Sequence, residues 1–282
     1  MPKTALWLLA LLVLFPFLCW LLFAPAAVGE LSLLDEGPGI AMVPPEVRAE
    51  AEALAAELFG SGPGQGAFVD GLLDVYAAAV DKDFILIFNS GGSGKRKIGP
   101  EWGSIYQGIE SELTAAGYAT LSTIYTRTPE GLFHTIKETS EMFHSYPSKA
   151  EPLAAEIDFL TENIEGIHVI LLGESSGGIF NLEVMRHLQA NPQVYSIETG
   201  VPFYYYAPVP GRSLVINDNG VEPDAFSSGD FWAIVRSNLI YIPTYRPEEG
   251  HLLYFLRAPG HIYTWDHCGV RAQVAMFLYD NF

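Results

Sequence analysis

The sequence is poor in cysteine and in basic residues. Only two cysteines occur among its 282 residues, and one of them, Cys19, lies in an apolar run. Neither a disulfide framework nor a zinc site made of cysteines is therefore expected. Fifteen lysines and arginines stand against 33 aspartates and glutamates, which gives a formal charge of −18. Because a field of this sign repels phosphate backbones, the composition excludes nucleic acid as an expected partner.

Charged residues of either sign are also scarce, whereas hydrophobic residues are abundant. Charged residues make up 17% of the chain and hydrophobic residues 49%. This composition is too apolar for a disordered protein, and 282 residues are enough to enclose one large core. We expect one domain, which is large enough to hold the active site of an enzyme.

The most apolar part of the chain lies close to the amino terminus. Residues 5–23 carry no charge, and only Pro16 interrupts their apolar character. A helix of this length would span ~28 Å, which is close to the thickness of a bilayer's hydrocarbon core. Lys3 precedes the run, so the positive-inside rule predicts an extracytoplasmic body. The run is expected to be a retained membrane anchor or, because Ala24-Pro25-Ala26 is typical of a cleavage site, the signal of a secreted protein.

Composition divides the chain into three parts. Residues 1–26 are predicted to be the membrane anchor or signal segment. Residues 27–66 form a linker, rich in Gly and Pro, and a first helix that starts at Pro45. Residues 67–282 form the main domain.

From residue 83 onward, short apolar runs alternate with helical patterns. Apolar strands separated by helices predict an α/β fold with a mostly parallel sheet covered by helices on both faces. In such folds ligands bind at the carboxyl ends of the strands. The predicted strands are residues 84–88, 119–125, 167–172 and 201–207, and the predicted helices between them are 101–116, 150–163 and 178–190.

The last third of the chain carries three more apolar runs, at residues 214–217, 239–244 and 252–256. All three are predicted to be strands. Because the segment between the last two is too short for a crossover helix, one pair is expected to form a hairpin. A final helix is expected from about Val270 to the end of the chain.

The strongest chemical signal is the string Gly173-Glu174-Ser175-Ser176-Gly177, which follows a predicted strand and precedes a predicted helix. In that context Gly-x-Ser-x-Gly is the sharp turn that exposes a nucleophilic serine, here Ser175. Only small residues fit on either side of such a turn, and the serine backbone is expected to be strained. At this string the sequence resembles the α/β-hydrolase superfamily, over about residues 83–282 and without the usual N-terminal strands.

The resemblance implies a histidine that acts as a base, in a loop after the last strand. His261 follows the last predicted strand and precedes the final helix, so it is the candidate base. His267, a few residues further on, is the alternative.

The resemblance also implies two backbone N–H groups that bind the oxyanion of the reaction intermediate. Ser176, the residue after the nucleophile, supplies one of them. The second comes from a glycine-bearing loop after an earlier strand, where Gly91 and Gly92 are both candidates. This loop does not match a phosphate-binding P-loop, because Asn89 occupies the position of the first glycine.

A third residue, an acid, is expected between the serine and the histidine in chain order. Asp218 is favoured because it ends the run 214–217 and begins the turn Asp218-Asn219-Gly220. The alternatives left open are Asp224, Asp230, Glu248 and Glu249.

Taken as a member of this superfamily, the chain is expected to be a membrane-tethered serine hydrolase that cleaves carboxylic esters through an acyl-enzyme on Ser175. Its substrate would be a small-molecule or lipid ester, and neither a cofactor nor a metal is expected, since the sequence carries no His-Glu-x-x-His motif. An acyltransferase would use the same residues. The alternative outside enzymes is a binding or scaffold protein at the membrane surface, which the lack of an acid near His261 would favour.

Overall fold

The computed structural model places a sheet of six strands at the centre of the residues that it describes. These residues are 29–34, 43–60, 62, 64–92, 94, 96, 98–129, 132–241 and 258–282.

Five of the six strands run parallel, and one edge strand is antiparallel. The order across the sheet is β1-β3-β2-β4-β5-β6, in which β1 pairs antiparallel with β3. All other neighbours pair in parallel. The strands are β1 (Glu30–Leu33), β2 (Phe84–Asn89), β3 (Thr120–Thr126), β4 (His168–Glu174), β5 (Val194–Thr199) and β6 (Ser213–Ile216).

Helices connect most of the strands. Within the described residues they are α1 (Pro45–Phe59), α2 (Gln65–Ala79), α3 (Pro100–Ala115), α4 (Leu132–Phe143), α5 (Ala150–Asn163), α6 (Ser176–His187), α7 (Ala225–Ser228), α8 (Phe231–Tyr241) and α9 (Cys268–Asn281).

Each face of the sheet has its own apolar core. Along β2, Ile85 and Ile87 belong to the core that includes residues of α1, α2, α5 and α6. Phe84, Leu86 and Phe88 belong to the opposite core, with residues of α3 and α9. Successive side chains of a strand point to opposite faces, so a strand covered on both sides is apolar throughout. The predicted parallel sheet with helices on both faces is confirmed.

Most of the predicted elements agree with the structure to within a few residues. The predicted strands 84–88, 119–125, 167–172 and 214–217 correspond to β2, β3, β4 and β6. The predicted helices 101–116, 150–163 and 178–190 correspond to α3, α5 and α6, and the final helix is α9.

The strand predicted at residues 201–207 is wrong. The strand at this place in the sheet is β5, which ends before Gly200. The φ angle of Gly200 is +62°, a left-handed conformation that a strand cannot continue, and Pro202 has no N–H to donate to a ladder. The aromatic residues that follow pack instead against Phe226 of α7.

Of the last two predicted strands, the structure describes only residues 239–241. Residues 239–241 end helix α8, so the strand predicted from residue 239 is wrong in this part. Residues 242–257, with the rest of this strand and the predicted strand 252–256, lie outside the described residues. The predicted hairpin therefore stays a prediction.

The amino-terminal region contains one element that the sequence pattern did not reveal. Strand β1 pairs with β3 inside the segment predicted to be an extended linker, so the sheet does have an N-terminal strand. With four residues, of which only Leu31 is buried, β1 is too short to produce a recognisable alternation.

The apolar run of residues 5–23 lies outside the described residues. Within the described ranges, no helix has the length and apolar composition that crossing a bilayer would require.

Candidate active site

Ser175 occupies the turn between β4 and α6, as the sequence predicts. Its backbone has φ 53° and ψ −118°, a combination that non-glycine residues rarely adopt. The Ser175 N–H donates to the carbonyl oxygen of Thr199 at 2.8 Å, and the Ser175 carbonyl accepts from the N–H of Gly178 at 2.9 Å. The turn is therefore fixed by one hydrogen bond to the neighbouring strand β5 and by another to its own helix α6.

The two glycines of the motif are required because backbone atoms lie too close for a side chain. A Cβ atom at Gly173 would lie 2.6 Å from Nδ2 of Asn181 and 2.8 Å from Cα of Gly178. A Cβ atom at Gly177 would lie 2.1 Å from the carbonyl oxygen of Asn89. The first of these contacts brings the end of β4 against α6, and the second brings the first turn of α6 against the end of β2.

The glycine loop after β2 lies beside the serine. A Cβ atom at Gly91 would lie 3.4 Å from Cβ of Ser175. The Ser176 hydroxyl donates to the carbonyl oxygen of Gly92 at 2.9 Å. The structure thus brings the serine close to the three residues predicted for the oxyanion hole, with Gly91 near enough that a side chain there would touch Ser175.

His261 lies at the carboxyl edge of the sheet, next to the end of β5. A Cβ atom at Gly200 would lie 2.7 Å from Cε1 and 3.0 Å from Nδ1 of the imidazole. Gly200 directly follows Thr199, the residue that accepts the Ser175 N–H. Because β5 is the neighbour of β4, which carries Ser175 at its end, the histidine and the serine share one edge of the sheet.

The acid in contact with His261 is Asp224, one of the alternatives that the sequence left open. Oδ2 of Asp224 lies 2.8 Å from Nδ1 of His261, and this carboxylate is completely buried. The same oxygen accepts hydrogen bonds from the hydroxyls of Tyr263 at 2.7 Å and Ser227 at 2.8 Å. Oδ1 accepts the N–H groups of Phe226 and Ser227, so Asp224 also caps the amino terminus of α7.

These hydrogen bonds keep Asp224 ionised in spite of its burial. Burial by itself would raise the pKa of the carboxyl group, but the hydrogen bond and charge of His261 and the bonds from Tyr263 and Ser227 outweigh it. The pKa of Asp224 is lowered to about 2. Burial and the bond to Asp224 together raise the pKa of the Tyr263 hydroxyl, which therefore stays a donor at neutral pH.

Asp218, which the sequence favoured as the acid, lies in a turn six residues before Asp224. Its side chain is exposed, and its Oδ1 accepts the N–H of Gly220 at 2.8 Å, as in an Asx turn. Asp230 is also exposed and accepts the N–H of Ala233 at 3.0 Å, near the start of α8. Neither of these bonds is made to the histidine, so the preference for Asp218 is corrected in favour of Asp224. Glu248 and Glu249 lie outside the described residues.

The alternative histidine does not share the carboxylate. Nδ1 of His267 lies 3.3 Å from the backbone nitrogen of Thr264, and the residue precedes the first turn of α9. Its Nδ1 atom thus accepts a hydrogen bond within the loop before that helix.

Three residues that position His261 were missed in the sequence. Gly200 leaves room for the ring, and Tyr263 binds the same carboxylate oxygen as the histidine. Asn219 donates from Nδ2 to the carbonyl oxygens of Gly260 at 3.1 Å and Ile262 at 2.9 Å, on both sides of the histidine. The turn around Asn219 was visible in the sequence, but its contact with a loop 40 residues away was not.

A second carboxyl group, that of Glu174, lies next to the nucleophile. Its Cδ atom is 3.5 Å from the position that a Cβ atom would have at Gly91. Burial raises the pKa of Glu174, while the positive charge of His261 and the N–H of Gly91 lower it in part. Within the described residues, no group of three or more His, Cys, Asp and Glu side chains is arranged to hold a metal ion.

A strained serine turn at the carboxyl edge of a parallel sheet, with a histidine and an acid from later loops, is the arrangement of the α/β-hydrolase superfamily. No protein-family model and no curated protein matches the chain. Among solved structures, the chain is similar to a Trichoderma reesei cutinase in complex with a C11Y4 phosphonate inhibitor. The two are 14% identical, with 84% of this chain and 90% of that chain covered and a TM-score of 0.40.

Proposed function

We propose that this chain is a serine hydrolase of carboxylic esters, in which Ser175 is the nucleophile, His261 the base and Asp224 the acid. One observation carries the proposal. The buried carboxylate of Asp224 binds Nδ1 of His261 at 2.8 Å, on the same sheet edge as the strained turn of Ser175. A carboxylate–imidazole pair on the same sheet edge as a serine in such a turn is the arrangement that nucleophilic acyl transfer requires.

The bond to Asp224 determines which imidazole nitrogen can act as the base. With its proton on Nδ1, donated to Asp224, His261 keeps a lone pair on Nε2. Nε2 takes the proton of the Ser175 hydroxyl as the oxygen attacks the ester carbonyl, and Asp224 stabilises the imidazolium that forms. The imidazolium then gives this proton to the departing alcohol.

The acyl-enzyme forms and is hydrolysed through two tetrahedral intermediates. Each carries a negative oxygen, and the N–H of Ser176 and an N–H of the glycine loop are proposed to bind it. Of Gly91 and Gly92, Gly92 is the better candidate, because the N–H of Gly91 is already bonded to the Glu174 carboxyl group. The position of Ser176 in the first turn of α6 adds the favourable field of the helix amino terminus. Water, deprotonated by His261, attacks the acyl-enzyme in the second half of the reaction and releases the acid.

The rings around His261 favour an ester with an apolar part. The ring of Phe226 lies edge-on to the imidazole with centroids 5.1 Å apart. Phe203 contacts both Phe226 and Phe231, at centroid distances of 6.2 and 5.1 Å. An acyl or alcohol chain that covers this aromatic surface would remove apolar area from water. We therefore propose that longer acyl chains are better substrates than acetate.

The alternative of a non-catalytic scaffold is disfavoured by the Asp224–His261 contact, since a scaffold has no need for an ionised acid on the imidazole. An acyltransferase would use the same residues and differs only in the acceptor of the acyl group. The two activities are separated by adding a primary alcohol to the assay and measuring how the acyl group divides between ester and free acid.

The test uses the full chain in detergent, with a fluorophosphonate probe and p-nitrophenyl esters of graded acyl length. We expect the wild type to react with the probe and to hydrolyse the esters, and Ser175→Ala to do neither. Ser148→Ala is the matched control, because Ser148 is an exposed serine that donates to Glu141, and it should behave as the wild type. Equal labelling of the wild type and Ser175→Ala would show that the proposal is wrong.

We further propose that residues 5–23 hold the protein in a membrane, with the catalytic domain outside the cytoplasm. The support is the uncharged length of the run and the position of Lys3 before it. The experiment is carbonate extraction of membranes with N-terminal sequencing of the mature chain. An intact chain in the membrane pellet is expected, whereas a chain cut near residue 26 or an intact chain in the supernatant would contradict the anchor.

A further inference from the structure

A group of buried charges lies behind the glycine loop, and the proposed mechanism does not use it. The side chains of Arg127, Glu138 and Lys149 are 0%, 1% and 3% exposed. Nε of Arg127 donates to Oε1 of Glu138 at 2.8 Å, and Nζ of Lys149 donates to Oε2. Burial would raise the pKa of Glu138, but the charges and hydrogen bonds of its two partners outweigh it and lower the pKa. Two cations share one carboxylate, so the group carries a net positive charge.

Arg127 is in direct contact with the glycine loop. Its backbone N–H donates to the carbonyl oxygen of Gly94 at 2.9 Å, and a Cβ atom at Gly94 would lie 2.6 Å from its Nε. Gly94 has a φ of +64°, and its N–H donates to the carbonyl oxygen of Gly91 at 3.3 Å. The buried side chain of Arg127 therefore lies against the turn that presents Gly91 and Gly92 to Ser175.

The same side chain connects to the other oxyanion donor through Tyr146. The guanidinium carbon of Arg127 lies 5.1 Å from the ring centroid of Tyr146 and 5.2 Å from that of Phe180. The Tyr146 hydroxyl donates to the carbonyl oxygen of Ser176 at 3.3 Å. Tyr146 is fully buried and has a φ of 52°, so its backbone adopts a strained conformation to reach this place.

From these contacts we propose that Arg127 and Tyr146 are positioning residues of the oxyanion hole. Arg127 holds the glycine loop from behind, and Tyr146 holds Ser176 through its carbonyl oxygen. Donors in an oxyanion hole must keep their places while charge develops, because displacement by a fraction of an ångström weakens binding of the transition state. The net positive charge of Arg127, Glu138 and Lys149 favours the same negative intermediate. The inference rests on the proposed function. It gives the buried charges of Arg127, Glu138 and Lys149 a part in stabilising the negative intermediate.

The first test removes a single hydroxyl. Tyr146→Phe deletes the bond to Ser176 and leaves the ring over Arg127. Tyr118→Phe is the matched control, because the Tyr118 hydroxyl also donates to a backbone carbonyl, that of Phe282 at 3.1 Å. Phe282 contacts Phe84 and His168, which begin β2 and β4, so the control lies at the opposite edge of the sheet.

The readout is kcat per active site. The active sites are counted with a fluorophosphonate probe, so that misfolded molecules are not included in the count. We expect Tyr146→Phe to lower kcat about tenfold, which corresponds to ~1.4 kcal/mol, with KM within about twofold of the wild type. Affinity for an alkylboronic acid, which forms a negatively charged tetrahedral adduct with the serine, should fall in parallel. Tyr118→Phe should change neither. Full activity and full boronate affinity of Tyr146→Phe would overturn the proposal.

The second test concerns the charge of Arg127. Arg127→Lys keeps the positive charge and should retain more boronate affinity than Arg127→Met. If Arg127→Met does not fold, the Tyr146→Phe result still decides the matter.

Hydrogen exchange of residues 89–94 and 174–178 provides a readout that needs no substrate: it should become faster in Tyr146→Phe and not in Tyr118→Phe. If the exchange of these residues in Tyr146→Phe equalled that of the wild type, the positioning role would be refuted, even if no ester were hydrolysed. If the exchange differed but the wild type had no esterase activity, only the proposed function would be refuted.

Discussion

Oδ2 of Asp224 lies 2.8 Å from Nδ1 of His261, although 37 residues separate the two along the chain. The carboxylate is held from several directions, since it also binds the Tyr263 hydroxyl and caps α7 through the N–H groups of Phe226 and Ser227. A carboxylate fixed in this way cannot turn to another partner without losing several hydrogen bonds. It therefore fixes both the orientation of the imidazole and the nitrogen that carries the proton.

The first prediction separates the two aspartates. Asp224→Asn removes the negative charge beside Nδ1 and allows the wrong tautomer of His261, so kcat/KM for a p-nitrophenyl ester should fall by a factor on the order of 10⁴. Asp218→Asn affects an exposed turn and should change kcat/KM by less than about threefold. A larger loss at Asp218 than at Asp224 would reverse the assignment made from the structure.

The second prediction concerns the space that Gly200 leaves for the imidazole. Gly200→Ala forces a Cβ atom to within 2.7 Å of His261 Cε1 and strains a backbone with φ +62°. Gly166→Ala imposes a similar strain at φ +73° but meets no atom within 4 Å. Both variants should lose roughly 1 kcal/mol or more of unfolding free energy in urea. Only Gly200→Ala should also lower kcat/KM, at least about tenfold, because a small displacement of a catalytic group is costly.

If the activity of Gly166→Ala fell as much as that of Gly200→Ala, strain alone would account for both results. The contact with His261 would then have no part in the loss.

The third prediction follows from the buried carboxyl group of Glu156 on α5. Burial raises its pKa well above the ordinary 4.5, and its Oε2 has no hydrogen-bond partner among the described residues. Above pH 4.5 the unfolded chain releases this proton while the folded chain keeps it. The stability that the group contributes is thus fully present below pH 4.5 and is lost as the pH rises toward the folded pKa, with a slope of up to ~1.4 kcal/mol per pH unit.

Glu156→Gln has no proton to lose, so the free energy of unfolding of the variant should gain on that of the wild type between pH 4.5 and 7. Urea unfolding at a series of pH values measures the difference. Glu162→Gln lies on the same helix at an exposed position and should show no such trend. A difference for Glu156→Gln that is the same at every pH would contradict the raised pKa.

The fourth prediction compares a buried ion pair with an exposed one. Glu138→Gln leaves the buried cations of Arg127 and Lys149 without a negative partner and should cost about 3–5 kcal/mol of unfolding free energy. Glu112→Gln removes the partner of Arg271, which is 3.8 Å away, and both side chains are well exposed. That variant should lose less than about 1 kcal/mol, because water already screens the pair. Similar losses in the two variants would mean that Glu138 is not the charge that balances the buried cations.

Local patterns predicted the part of the site that is local in the chain. The serine turn needs only a strand, two glycines with a serine between them, and a helix, all within consecutive residues. The reason for Gly173 is local, since a Cβ atom there would lie 2.6 Å from Asn181 and 2.8 Å from Gly178 in the helix that follows, whereas the reason for Gly177 is a tertiary contact, the carbonyl oxygen of Asn89 at the end of β2. Strands β2 and β4 were equally recognisable, since burial on both faces leaves residues 84–88 and 169–172 apolar throughout.

The acid could not be chosen in the same way. Asp218 and Asp224 lie six residues apart, and both accept backbone N–H groups at the start of a turn or helix. The choice depends on how the histidine loop packs. Asn219 donates to the carbonyl oxygens of Gly260 and Ile262, and the Ala225 N–H donates to the carbonyl oxygen of Pro259. These contacts bring His261 to Asp224, and none of them follows a sequence period.

The aromatic run after β5 was misassigned for a related reason. Residues 201–207 have the composition of a buried strand, but Gly200 leaves the extended conformation and turns the chain toward α7. Composition indicates that these side chains are buried, but it does not indicate which structural element covers them.

The amino-acid sequence by itself determined the parallel sheet, the serine turn and the histidine loop, because each depends on residue size and polarity within a short stretch of chain. The tertiary structure alone decided that Asp224 is the partner of His261, that Gly200 and Asn219 hold the ring in place, and that Arg127 lies behind the glycine loop. Those relationships join residues far apart in the chain, and they arise only when the two cores pack and bring the loops to one edge of the sheet.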